Sequence, residues 1–155
     1  MRVSHTQFAT AVVFIIWFHR VRANAEEFAP DLQRRRPGWA IGGWFVPIGN
    51  FYIPRAIATD IWAASRQDPY GTGKQEPHTI INVWWIAWIG SNLVNGIAGA
   101  QYDMAQTADE FLAGADAFIV GCLADIGAAL LAVVVVQRLT RMQHTKARRA
   151  ESAAV

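Results

Sequence analysis

The chain has 155 residues, enough for one domain, and 53% of them are apolar against 17% charged, where soluble domains carry about a quarter charged residues. Its one cysteine, Cys122, excludes an intramolecular disulfide and a cysteine-based metal site and reads as a small buried hydrophobe. The formal net charge of +2 is mild, so the placement of the charges says more than their sum, and no nucleic-acid partner is expected.

The first predicted element is a membrane span over about 3–20. Arg2, the apolar Phe8–Phe18 and then Ala23-Asn24-Ala25 imitate a cleaved leader. However, His19, Arg20 and Arg22 separate the apolar stretch from that site, and positive charge there marks a cytoplasmic helix end. An uncleaved anchor is expected. Ser4, His5, Thr6 and Gln7 leave it short of the roughly 20 apolar residues a bilayer requires, as though the natural chain began further upstream.

The second element, 37–66, is apolar but broken. Pro47-Ile48-Gly49-Asn50, then Pro54-Arg55 and Asp60, interrupt it. Proline lacks a donor, and Gly and Asn tolerate turns, so one straight helix is excluded and a re-entrant or interfacial helical hairpin is expected. After a loop at Gly71-Thr72-Gly73 come two full-length spans, about 80–100 and 116–137. The residues 146–155 read as a disordered basic cytoplasmic tail behind a single membrane domain at 1–145.

Charge then orients the chain. Arg20, Arg22 and Arg34–Arg36 fill the first loop, Arg55, Arg66 and Lys74 lie in or after the broken segment, and Arg138, Arg141, Lys146, Arg148 and Arg149 end the chain. The connection 102–115 has only acidic charges, Asp103, Asp109 and Glu110. Basic loops stay inside, which puts that connection outside and the C-terminus in the cytoplasm of a bacterial inner membrane. A full crossing at 39–65 would export one basic cluster, so the broken segment must return to its own side. Most of the seven Trp then fall near the cytoplasmic interface, where this residue is enriched.

Asp125 interrupts the last span near its middle, and Ser91, Asn92 and Asn95 lie at comparable depth in the preceding one. Ionisable groups at that depth face a partner or a cavity; as interhelical glue such a pair contributes under about 2 kcal/mol. Ala117, Gly121, Ala124, Asp125 and Ala128, with Gly96, Gly99 and Ala100 opposite, permit close helix approach. His5 and His19 have a spacing that suits stacked haems, but each iron would need an opposing ligand, and His78 and His144, outside the spans on one side, could complete only the inner site; no cofactor or metal is expected. The chain contains no HExxH, P-loop or paired-cysteine motif.

A longer pattern runs through the broken segment. Arg20-Val21-Arg22-Ala23-Asn24-Ala25-Glu26, then Pro37-Gly38-Trp39-Ala40-Ile41-Gly42-Gly43-Trp44-Phe45-Val46-Pro47-Ile48-Gly49-Asn50, resembles the actinobacterial integral-membrane family named domain of unknown function 4328. Pro54-Arg55, Asp60–Ser65, Trp84-Trp85 and Arg138-Leu139-Thr140 are similar to the same family. The resemblance implies a membrane helical fold, and an upstream helix that this chain lacks. It leaves the activity open.

The sequence therefore predicts an all-α membrane protein: three transmembrane helices plus a Pro/Gly-broken re-entrant or interfacial hairpin. The candidate motif comprises Asn24, Trp39, Trp44, Pro47, Asn50, Pro54, Arg55, Asp60, Trp62 and Ser65, with Asn92, Asn95 and Asp125 as intramembrane polar residues. A non-enzymatic scaffold, sensor or accessory subunit is expected, its partners the bilayer and either a second copy or another membrane protein. The alternative is a small oligomeric transporter or a lipid- or ion-binding protein using the broken segment and Asp125. An enzyme would need a base beside Ser65 and Asp60, and none is evident.

Overall fold

A computed structural model describes residues 5–71 and 76–153, with side chains from Phe8 onward, and the regular structure among them is entirely helical. The helices are α1 (His5–Phe28), α2 (Trp39–Gly42), α3 (Ile53–Ser65), α4 (Thr79–Met104) and α5 (Ala108–Ala153), with 3-10 turns at Pro30–Leu32 and Gly49–Phe51. They group into two compact units, Met1–His78 with Gln137–Val155, and Thr79–Val136.

In the first unit α1 stops where Pro30 removes a backbone donor. Ala29 leaves the helical region (φ −161°, ψ 83°), which is disfavoured for a residue before proline. Proline also starts α3, where Pro54 occupies the first turn and its missing N–H has no helical partner to lose. The apolar positions of α3 recur at four-residue spacing, Ile53, Ile57, Ile61 and Pro54, Ala58, Trp62, and all are buried. With Phe18, Val21 and Ala25 of α1 and Leu139 of α5 they make the core. Trp44 closes one end, its ring edge-on to Phe14 (5.7 Å) and Phe18 (5.9 Å). The tip of the broken segment is turned out: Phe45, Val46, Ile48, Phe51 and Tyr52 are exposed, and no charged residue occurs from Pro37 to Pro54.

In the second unit α4 and α5 are joined by three residues, which makes an αα-hairpin. Tyr102 sits edge-on to Phe111 (5.4 Å) and Phe118 (5.8 Å). Mid-way along, a Cβ on Gly121 would collide with Asn95 Oδ1, so the small residue makes room for a polar neighbour. The start of α5 is a capping box. Glu110 Oε2 accepts from the backbone N–H of Gln106 (2.7 Å) and of Thr107 (3.1 Å), and Thr107 Oγ1 accepts from Glu110 N–H (3.3 Å).

These backbone donors lower the Glu110 pKa below the usual carboxylate range. A depressed carboxylate contributes above its unfolded pKa and loses that contribution as pH falls through the folded one. The amide resonances of Gln106 and Thr107 should therefore titrate together, with a midpoint below the usual glutamate range, and E110Q should abolish the titration. A midpoint at the ordinary value would mean that the box does not form.

Three expectations change. Among the described residues two helices, α4 and α5, are long and apolar enough to cross a membrane, not three. The apolar stretch Phe8–Phe18 in α1, at 1.5 Å per residue, covers only about half of a roughly 30 Å hydrocarbon core, and Val3 and Ser4 of the expected span lie outside the described residues. The segment 146–153, expected to be a disordered tail, is the end of α5, a stretch rich in Ala, Lys and Arg, which are strong helix formers. Cys122, expected to be buried, is exposed, because it lies on an outward face of the hairpin.

Candidate functional site

The broken segment and the end of α1 meet on a residue that the motif did not include. Gln143, on the last turns of α5, is buried. Its Nε2 donates to the Val21 carbonyl oxygen (2.9 Å) and to Ser65 Oγ (3.2 Å), while its Oε1 accepts from Asn24 Nδ2 (3.0 Å). One amide thus ties α1, α3 and α5 together, and brings Asn24 and Ser65 to a common centre. One turn on, Lys146 Nζ donates to the carbonyl oxygens of Ala64 (2.8 Å) and Arg66 (2.9 Å). A cation on the last carbonyls of a helix is favoured by their unpaired acceptors and by the helix dipole. Lys146 also lies 5.3 Å above the Phe28 ring; burial lowers its pKa from the usual lysine range, and Asp68 opposes that shift.

Asp60 takes a different partner. Its carboxylate accepts from Arg34 Nη2 (2.7 Å) and Nε (3.0 Å), and its backbone oxygen accepts from Gln33 Nε2 (3.3 Å). The carboxylate is nearly buried while Arg34 is largely exposed, so the pair fixes the 30–36 loop on α3. Arg22, 2% exposed, does the same from α1 by donating to the Arg35 carbonyl oxygen (2.6 Å). The arrangement turns Asp60 and Ser65 to separate partners, an arginine for one and a buried glutamine for the other.

The remaining motif residues divide into packing and rim. Trp44 and Pro54 serve the core and the helix start described above. Trp39, Pro47 and Arg55 lie at the surface or partly so. Asn50 Oδ1 and Trp62 Nε1 are buried with no hydrogen-bond partner among the described residues. In the second unit Asn95 Nδ2 donates to Asp125 Oδ2 (3.0 Å), and Asn92 Nδ2 donates to the Trp88 carbonyl oxygen within its own helix (2.7 Å). Asp125 is exposed beside this bond.

Two clefts flank the last turns of α5. One, of about 470 Å³, lies beside the Asn24–Gln143 bond and is bordered by Trp17, Arg20, Glu27 and His144. The other, of about 370 Å³, is bordered by Trp62, Glu76, Arg138 and Arg141. No group of three His, Cys, Asp or Glu side chains among the described residues is placed to hold a metal ion. Gln143, Lys146, Arg22 and Arg34 are the residues sequence reasoning missed. A signal was present for two of them: Leu139, Gln143 and Lys146 keep the i, i+4, i+7 spacing of a buried face.

No curated protein and no solved structure matches the chain. A family model does, over residues 3–141, a stretch that holds the broken segment, the Arg34–Asp60 pair and α4. The chain belongs to the family described as Domain of unknown function (DUF4328).

Proposed function

We propose that the chain is a multi-pass membrane protein in which α4 and the apolar part of α5, about 116–137, cross the bilayer, and that it works by binding and assembly rather than by catalysis, as a scaffold, sensor or accessory subunit. The observation that carries this reading is the outward-facing apolar surface of these helices. Ile86 is 71% exposed, Leu93 63%, Leu123 64% and Leu130 64%, a surface that soluble proteins rarely present. Two crossings joined by the acidic 102–115 connection place Arg20–Arg36 and Arg138–Arg149 on one side, which the positive-inside rule makes the cytoplasm. The uncharged, exposed tip Phe45–Tyr52 then lies at or within the interface as the re-entrant or interfacial element. The binding role is supported by the hydrogen bonding of the site, where Gln143 and Asp60 are engaged by neighbours that hold the fold. Expressed in a bacterium, the protein should remain in the membrane pellet through alkaline carbonate and be released by detergent; release by carbonate would defeat the reading.

One observation favours self-association. Asp125 lies near mid-span yet remains exposed beside Asn95, and a carboxylate at that depth is costly unless it faces a partner. A second copy of the hairpin would cover it. D125A is expected to reduce dimer recovered by crosslinking in mild detergent, with a change of about 1 kcal/mol in association. An unchanged monomer–dimer ratio would leave Asp125 as intrachain glue alone.

A further inference from the structure

The cleft beside Trp62 joins three features that the fold does not explain. Arg138 and Arg141 are three residues apart, so they lie on one face of α5; both are exposed and both border the cleft. Trp62 borders the same cleft, is 2% exposed, and its indole N–H is buried without an acceptor among the described residues. A buried donor left unpaired is costly, and an acceptor supplied from outside would offset that cost. The third feature is depth: Arg138 follows the apolar run Leu130–Val136 after one residue. If that run ends in the bilayer, the two guanidinium groups lie at the level of the headgroup phosphates.

We propose that this cleft binds the phosphate of an anionic phospholipid, held by Arg138 and Arg141 with the Trp62 N–H as a further donor. The proposal rests on the membrane reading above. Arginine suits the task because its planar fork matches two phosphate oxygens at once. Glu76 also borders the cleft, and its charge opposes an anion there. It therefore gives the site a signed test: removing that charge should strengthen binding, whereas a purely structural role for the two arginines predicts no such effect.

The test uses the full chain in detergent and counts retained lipid by native mass spectrometry, with phosphatidylglycerol and phosphatidylcholine offered in equal amounts. Wild type should keep one phosphatidylglycerol in preference. R138Q/R141Q should lose that preference by about tenfold or more, E76Q should hold the lipid more tightly than wild type, and W62F should fall between wild type and the double variant. R148Q/R149Q removes the same charge from the end of α5 and should leave retention unchanged. An equal loss in R148Q/R149Q would overturn the site in favour of diffuse charge. Displacement of the lipid by millimolar inorganic phosphate would reassign the cleft to a free anion and overturn the lipid assignment. A wild-type protein that resists carbonate extraction yet shows no preference for phosphatidylglycerol defeats this inference alone, whereas carbonate release defeats the membrane reading beneath it.

Discussion

Replacing Gln143 by leucine is expected to destabilise the fold by about 2–4 kcal/mol. The substitution keeps the bulk of the side chain and removes three hydrogen bonds at once, those to Val21, Ser65 and Asn24. Each such bond contributes about 1 kcal/mol net, and the partners left unpaired add their own desolvation. Asn24 borders a cleft and can turn to water, but Ser65 is fully buried, so most of the loss falls there. Thermal unfolding in a mild detergent, followed by helical signal, measures it. A double-mutant cycle with N24A should return a coupling of about 1 kcal/mol. A loss near zero for Q143L would mean that the three helices are not held through this amide.

The second large effect lies in the broken segment. A Cβ on Gly43 would stand 2.6 Å from Ile53 Cγ2 and 2.8 Å from the Trp39 carbonyl oxygen, and the second of these is backbone that cannot rotate away. G43A should therefore cost about 2 kcal/mol by overpacking. Gly42 is its control, since a Cβ there meets nothing within 4 Å, and G42A should stay within about 0.5 kcal/mol of wild type. Equal effects for the two alanines would show that α2 does not pack on the start of α3. Here the glycine is required by close approach rather than by an unusual backbone angle, because no residue with positive φ occurs among the described residues.

Much of the architecture was legible where the physics is local. The Pro47–Asn50 turn and Pro54 marked the break, and the long apolar runs of α4 and α5 marked themselves, whereas Pro30, which ends α1, went unread. Non-local partners were not legible. Arg34 finds Asp60 across 26 residues, and Gln143 finds Asn24 across 119; no periodicity encodes either pairing. The residues from 146 on were read by their charge as a tail, although Lys146 continues the inward spacing of Leu139 and Gln143 and bonds the end of α3. The first span was over-read from the opposite cause: its length was already short of a bilayer, and Phe8–Phe18 holds only ten apolar residues.

The central claim, two crossings with both basic ends on one side, is tested most directly by cysteine accessibility in intact cells and inverted vesicles. Cys122 is replaced, and single cysteines are placed at Ile48, Tyr70, Ala108 and Ser152, all exposed positions. With this topology, 108 should label only from outside, 70 and 152 only from inside, and 48 from inside or not at all. Labelling of 108 and 152 from the same side would contradict it, because the apolar part of α5 would then not cross the membrane.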